Sequence, residues 1–470
     1  GEGSFDNLSY QRATARANVD VYLSENLTAS LDFSTDRRDR RGPSWGGNDW
    51  GHEDLYKALA LRTSMVPPYI NGLPVGNWVE WHPGEVIDNV AGYDRRDWTS
   101  LNTRARLDYQ MPFLEGLSAN FTFNKYYQEA HRKQFNLPYE MTYFNTLGEN
   151  NHIVGTEPVG IRPREAAEFL MHRQDREDDY QLNAQLSFDR TFGNHGIDAF
   201  LVYEQAETDD IWFEARRDNF ISRSIDQFVG GSNAPEDSRV NGSQSQGARV
   251  SYVGSLGYNY DDRYILDGSF RYDGSVIFPP ENRWGFFPAL SAGWRLSEES
   301  FFNVGFIDHL MLRGSFGLVG NDDVGDFQWL QSYDIEEGAI FGSPSPGLQT
   351  GSLANRAITW EKAKSYNFGV DTRFWNSRFS LTADVFYKNT YDILGDRDDI
   401  VPSTFGADLP DENYQEIDTR GFEIELGYQN EFGNPSNPVN YYLRGNFGYA
   451  TNEVIRLVEP ENIRPYESEL

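Results

Sequence analysis

Residues 378–394 read RFSLTADVFYKNTYDIL and alternate between apolar and polar side chains. One face would carry Phe379, Leu381, Ala383, Val385 and Tyr387, and the other Ser380, Thr382, Asp384, Phe386 and Lys388. Successive side chains of a β-strand point to opposite faces, so the pattern predicts a strand with one apolar and one mostly polar face. At about 3.3 Å per residue, such a run spans roughly 50 Å, whereas a common strand has about 5–6 residues. The stretch therefore predicts a fold built from unusually long amphipathic strands.

The same alternation recurs along the chain and predicts roughly fourteen strands. These are 9–22, 27–40, 97–110, 117–132, 178–191, 196–211, 246–260, 263–274, 284–297, 309–320, 358–375, 378–392, 415–429 and 439–453. The connections between them alternate almost strictly between a short class and a long class. The long class is 41–96, 133–177, 212–245, 321–357 and 393–414, with 275–283 as a short exception. Because alternate turns of an up-and-down antiparallel sheet lie on the same side, the pattern predicts the short turns and long loops of a bacterial transmembrane β-barrel.

The side chains of the predicted strands agree with a membrane location. In hydrocarbon every backbone donor and acceptor must be paired internally, and a closed barrel satisfies this condition. Trp284 and Trp294 lie at opposite ends of one predicted strand, as in the aromatic girdles of such barrels. Charged residues in mid-strand, such as Asp267 and Arg271, would face a wet lumen. The sequence thus predicts an all-β fold, an antiparallel transmembrane β-barrel segment.

Composition removes several classes of function. The formal net charge of −31 argues against nucleic acid as a partner, because its phosphates would be repelled. The chain has no Cys, so it offers neither thiol nucleophiles nor Cys-ligated metal. It contains no H-E-x-x-H zinc motif, no G-x-S-x-G elbow and no Walker loop, and it therefore offers no catalytic residues by motif.

Several motifs resemble one known family. The runs YVGSLGYNYDDRYILDGSFRYDGSVIF (252–278), NRWGFFPALSAGWRLSEESFF (282–302) and LMLRGSFGLVGN (310–321) are similar to those of SusC/RagA-type TonB-dependent transporters of Bacteroidota outer membranes. TWEKAKSYNFGVD (359–371) and FYKNTYDIL (386–394) resemble later strands of that family in the same order. TRGFEIELGY (419–428) departs from the family pattern by having Thr419 and Arg420 where Asn-Lys is usual.

The resemblance implies a function and a set of partners. It implies active import of a nutrient, an oligosaccharide or a peptide, across the cell outer membrane, and no enzymatic activity. The partners would be a SusD-like surface lipoprotein, the TonB-ExbB-ExbD complex acting through a plug region, and outer-membrane lipid, with a dimer of transporter–lipoprotein pairs possible. Barrels of this class have 22 strands, and neither a plug nor a TonB box is recognisable. We therefore expect residues 1–470 to be part of one barrel, with the N-terminal plug domain and the terminal strands absent from this chain.

The long loops hold the candidate substrate-binding residues. Loop 41–96 contains Trp45, Trp50, Trp78 and Trp81, whose faces could stack on sugars, although loop aromatics more often form the loop's own core. A second loop places Asn321, Asp322 and Asp323 near Trp329. We expect no cofactor, and Ca²⁺ in such acidic loops is a weaker hypothesis than a solvated loop, since the spacing does not match an EF-hand.

Two other functions fit the same residues. A soluble, secreted β-rich carbohydrate-active enzyme or adhesin would also have low hydropathy, high acidity and aromatic loops. A siderophore-type receptor would share the barrel and differ in its ligand.

Overall fold

The computed structural model describes residues 8–44, 66–78, 82–88, 90–163, 168–337, 346–396, 407, 409–434 and 437–457. Strands dominate this part of the chain. They are β1 (Ser9–Ser24), β2 (Leu27–Pro43), β3 (Tyr69–Ile70), β4 (Leu73–Pro74), β5 (Gly92–Gln110), β6 (Leu117–Asn136), β7 (Glu140–Leu147), β8 (Ile153–Pro163), β9 (Phe169–Phe192), β10 (His195–Asp218), β11 (Ser238–Tyr260), β12 (Tyr264–Ser275), β13 (Trp284–Arg295), β14 (Ile307–Asn321), β15 (Tyr333–Glu337), β16 (Pro346–Thr350), β17 (Glu361–Phe374), β18 (Phe379–Gly395), β19 (Glu412–Asn434) and β20 (Asn437–Arg456). The one α-helix among the described residues is Pro83–Ile87, and none of the helices there is long and apolar enough to cross a membrane.

Fourteen strands form a single antiparallel sheet, in the order β1-β2-β5-β6-β9-β10-β11-β12-β13-β14-β17-β18-β19-β20. The remaining strands form three two-stranded hairpins, β3-β4, β7-β8 and β15-β16, inside the long connections. The predicted set of strands and the alternation of short turns and long loops are both confirmed. The described residues contain no pairing between β1 and β20, so the sheet is open there.

Several strands are longer than predicted, mostly on the long-loop side, although β19 also extends five residues further than predicted on the short-turn side. The strand predicted at 178–191 is β9, with 24 residues, and the one predicted at 196–211 is β10, also with 24 residues. A tilted strand needs only about 9–11 residues to cross a bilayer. Many of the additional residues carry polar side chains on both faces, such as Gln174 and Arg176 beside Arg173 and Asp175, so no regular apolar alternation marks them. These extensions lift the wall of the sheet beyond the membrane.

The sheet has an apolar face and a polar face. On the apolar face, Leu290 of β13 pairs with Gly268 of β12 and Phe316 of β14, and 53% of the Leu290 side chain is exposed. Other exposed members of this face are Leu186, Leu201, Leu256, Leu266, Phe368, Val385, Leu426 and Phe447. So large a continuous apolar surface is typical of contact with another apolar phase, and in this architecture that phase is lipid.

Two aromatic groups bound the apolar face. At the long-loop end of β13, Trp284 stacks on Tyr272 with ring centroids 4.7 Å apart. At the short-turn end, Trp294 stacks on Tyr264 at 6.5 Å. The two indoles are ten residues apart on one strand, which is about 33 Å along the strand and about 25 Å in height at a tilt of about 40°. This height matches the apolar band of outer-membrane barrels.

A hydrophobic cluster closes the long-loop end of the sheet between β13 and β14. These strands stay paired only as far as Ala289 and Gly317. Beyond that point Phe278, Phe287, Ile358 and Trp360 pack together, and we call this group the rim cluster. Trp360 lies 5.2 Å from Phe287 between ring centroids, and its Nε1 donates to the Arg283 carbonyl at 3.0 Å. The rim cluster thus replaces strand pairing where the ladder ends.

The loop between β10 and β11, residues 219–237, docks back onto the wall of the sheet. Phe228 packs on the His172 ring at 5.1 Å, and Lys133 donates to Asp226 at 2.9 Å. The Tyr93 hydroxyl also donates to Asp226. His172 in turn lies 3.1 Å from His131 between ring nitrogens.

Candidate functional site: the polar face of the sheet

The polar face carries charged side chains that are neutralised in pairs, both within a strand and between strands. Arg271 donates to Asp273 at 3.1 Å and to the Ser251 hydroxyl at 3.3 Å. Such pairs hold the wall rigid and leave a hydrated, polar surface, which is the usual lining of a barrel lumen.

A longer network joins three strands of the same face. Arg313 of β14 donates to Asp371 of β17 at 2.8 Å and to Asp384 of β18 at 2.5 Å. Both carboxylates face one guanidinium, so Asp384, the mid-strand acid on the polar face of 378–394, has a charged partner. The polar half of that sequence pattern is therefore a lumen wall.

A cleft opens on the polar face where the long strands rise beyond the apolar band. Trp98 of β5 pairs in register with Ala130 of β6, Ala130 with Asp175 of β9, and Asp175 with Trp212 of β10. The four side chains form one row across four strands, and the small Ala130 leaves a depression beside Trp98. Two adjoining cavities of about 270 and 200 Å³ lie along this row. We call this region the tryptophan cleft.

Polar groups border the tryptophan cleft on both sides. On the long-loop side Arg96 and Arg132 both donate to Asp94, at 3.1 and 3.0 Å. Arg173 donates to Asp175 at 2.7 Å and lies 4.3 Å above the Trp212 ring. These contacts fix the guanidinium groups as oriented donors at the edge of the cleft.

The opposite border of the cleft supplies acceptors. It contains Gln128, Glu177, Asp210, Ser243 and Ser245. Burial, together with the neighbouring carboxylates of Asp179 and Asp210, raises the pKa of Glu177 above its usual range. The cleft therefore combines two indole side chains, of which Trp212 has Arg173 over one face, with donors on one side and acceptors on the other.

The second predicted loop site forms part of the rim of the sheet. Asn321 ends β14 and donates to Glu361 at 2.9 Å, while the Asp323 amide donates back to the Asn321 side chain at 3.1 Å. Asp322 is only 8% exposed and is paired with Arg249. Trp329 packs against the rim cluster. The structure brings these residues together as parts of one folded rim.

The first predicted loop site is described only in part. Trp45, Trp50 and Trp81 lie outside the described residues. Trp78 has 55% of its side chain exposed and a φ of 54°. Its neighbour Asn77 donates to the Phe144 carbonyl and accepts from the Phe144 amide, both at 2.8 Å, which anchors this segment to β7. The described residues contain no group of three or more His, Asp or Glu side chains arranged to hold a metal ion.

Sequence reasoning did not single out Trp98 or Trp212. Trp98 lies within the predicted strand 97–110, but Trp212 is the first residue of the predicted connection 212–245. The signal that would have found them is the register of β5, β6, β9 and β10, which places both indoles in one row. Register depends on where each turn begins, and the alternation of apolar residues ends before this row.

The sheet, its two faces and its loop asymmetry are those of part of the wall of a β-barrel of the outer-membrane class. Comparison with known proteins identifies the family. Residues 6–464 match the family of TonB dependent receptor-like β-barrels, and the chain belongs to that family. The prediction of a SusC/RagA-type, non-enzymatic barrel protein agrees with the relatives, which are named as receptors.

Three curated relatives carry the resemblance. TonB-dependent receptor P39 of Formosa agariphila is 31% identical over 218 residues, covering 46% of this chain and 20% of that protein. SusC of Bacteroides thetaiotaomicron is 30% identical over 200 residues, covering 41% of this chain and 20% of SusC. TonB-dependent receptor P3 of Formosa agariphila is 22% identical over 473 residues, covering 98% of this chain and 44% of that protein. The chain thus spans less than half the length of the relative that it matches almost throughout.

Solved structures show the same fold. The RagAB peptide importer in its open–open state superimposes with a TM-score of 0.73 at 17% identity, covering 96% of this chain and 47% of the other. The closed–closed state gives a TM-score of 0.72, covering 97% of this chain and 48% of the other. The similarity supports the barrel architecture along nearly the whole chain.

Proposed function

We propose that this chain is part of the wall of an outer-membrane transporter that imports a nutrient by TonB-dependent active transport. The observation that carries the proposal is the sheet itself. Its apolar face is bounded by aromatic groups about 25 Å apart in height, and its polar face continues beyond that band into the tryptophan cleft. A soluble enzyme would have no use for so much exposed apolar surface, and membership of a receptor family removes that alternative.

The partners follow from the relatives. SusC and the RagAB importer support pairing with a SusD-like surface lipoprotein that would cover the long-loop end of the barrel. Energy would come from the TonB-ExbB-ExbD complex through a plug region of the whole protein. A nutrient, either an oligosaccharide or a peptide, would be captured above the membrane and pass through the lumen when the plug rearranges.

The first test is purification of the native protein. The outer-membrane fraction is extracted with mild detergent, and the mass of every co-purifying polypeptide is measured. We expect a chain about twice as long as this one together with a lipid-modified partner. A protein that stays soluble and monodisperse without detergent would refute the membrane assignment. A membrane-extracted chain that binds an iron chelate and has no lipoprotein partner would instead identify a siderophore-type receptor.

A further inference from the structure

We propose that the tryptophan cleft is a binding site for an oligosaccharide in the lumen, with Trp98 and Trp212 as its two stacking surfaces. This inference rests on the proposed transport function and names the substrate class. Trp98 and Trp212 are three strand spacings apart along one row, which is about 14 Å. A ligand that contacts both indoles must therefore be an extended chain.

The height of the cleft suits an imported ligand. On β10 the apolar face ends with Leu201 and Tyr203, and the following residues of that face are Gln205 and Glu207. Trp212 lies nine residues beyond Tyr203 on the same strand, which is about 30 Å along the strand. The cleft is thus above the apolar band and open to solute arriving from the long-loop side.

The chemistry of the cleft fits a saccharide. A sugar ring has a face of C–H groups, which packs on an aromatic ring, and a rim of hydroxyl groups that both donate and accept hydrogen bonds. Arg96, Arg132 and Arg173 supply donors along one edge, and Glu177 and Asp210 supply acceptors along the other.

The same wall is poorly suited to an extended peptide. Peptides that bind along a sheet usually add a strand to an exposed edge, using their backbone hydrogen bonds. At this row β6 is paired with both β5 and β9, and β9 with both β6 and β10. No backbone groups are therefore available to a peptide at this row, and apart from the two indoles, Ala130 and Ile211 the side chains that line the cleft are polar or charged. Recognition must come from side chains, and these favour hydroxyl groups.

The test uses the full-length transporter with its lipoprotein partner in detergent. The probes are linear malto-, xylo-, manno- and β-gluco-oligosaccharides, together with a tryptic digest of casein as the peptide probe, and binding is measured by calorimetry. We expect at least one oligosaccharide to bind, and Trp98→Ala and Trp212→Ala each to weaken its binding about tenfold or more. Trp98→Phe should recover part of the affinity because it restores an aromatic face.

Phe200→Ala is the matched control. Phe200 lies on the polar face of the same β10 strand, twelve residues from Trp212 towards the short turn, outside the cleft. We expect its oligosaccharide affinity to stay within twofold of the wild type. Equal thermal unfolding midpoints for all variants show that a change in binding is not a loss of folding.

The other outcomes overturn the inference. Oligosaccharide binding that is unchanged by both alanine substitutions refutes the site. Binding of casein peptides alone, or of no oligosaccharide at all, refutes the substrate class. Outer-membrane location and lipoprotein co-purification depend on neither tryptophan, so they report on the proposed transport function separately.

Discussion

The assignment of the two faces of the sheet can be tested with one substitution in β13, Leu290→Arg. Leu290 lies on the apolar face between Trp284 and Trp294, six residues from the first and four from the second. The next residue, Ser291, lies on the polar face and donates to Asp267 at 3.1 Å. The two positions are adjacent in sequence and have opposite environments, so Ser291→Arg is the matched control.

The expected magnitude follows from depth. The midpoint between the two indoles falls at Ala289, so Leu290 lies about 3.3 Å along the strand from it, or about 2.5 Å in height at a tilt of about 40°. An Arg on the lipid face of a barrel costs about 2–4 kcal/mol at the bilayer midplane, so Leu290→Arg should cost nearly this full amount. This corresponds to a decrease of about 30- to 700-fold in the folded-to-unfolded ratio. Ser291→Arg should change stability by no more than about 0.5 kcal/mol, because the new side chain is solvated beside Asp267.

The measurement is equilibrium unfolding of the full-length protein by guanidinium in phospholipid vesicles, followed by tryptophan fluorescence. Electrophoretic heat-modifiability of unheated samples provides a second measure of the folded fraction. Equal destabilisation by the two substitutions would refute the assignment of the faces. A larger effect of Ser291→Arg would mean that the sheet is turned the other way.

Two further changes test the rim cluster and the docked loop. A Cβ at Gly320 would overlap the Phe287 ring, so Gly320→Ala should destabilise the rim cluster by about 1–3 kcal/mol. Faster amide hydrogen exchange around Phe287 would show this destabilisation. Unchanged exchange would contradict the packing of Phe287 on Gly320. Burial lowers the pKa of His172, and the contacts from Lys133 and then Tyr93 lower that of Asp226, so both residues favour docking of 219–237 at neutral pH. Docking should weaken as the pH falls below about 6.5, the ordinary pKa of His, and again as it falls below about 3.9, the ordinary pKa of Asp. A spin label on the loop should become more mobile between neutral pH and the lower end of the first range. His172→Gln should abolish this first increase in mobility.

The strands were predictable wherever one face meets an apolar surface and the other meets water. In β18 that difference repeats at every second residue, and the predicted strand 378–392 differs from Phe379–Gly395 by only a few residues. In β9 residues 172–177 have polar side chains on both faces, so the apolar alternation is interrupted there and the prediction began nine residues late, at 178 instead of Phe169. Alternation is a signal of unequal surroundings, and it disappears where both surroundings are aqueous.

The same physical limit explains why the cleft was not predicted. A binding surface on a barrel wall is assembled from residues far apart in sequence, such as Trp98 and Trp212, and only the register of the intervening strands brings them into one row. A shift of one residue in the pairing of β9 with β10 would turn Trp212 to the opposite face, since the side-chain period of a strand is two. The apolar band fixes that register lower down, where Leu186 pairs with Leu201 on the lipid face. Packing in the apolar band therefore determines the geometry of the proposed oligosaccharide site, which lies entirely above that band. A substitution that slips the register in the band should disable the cleft without touching it.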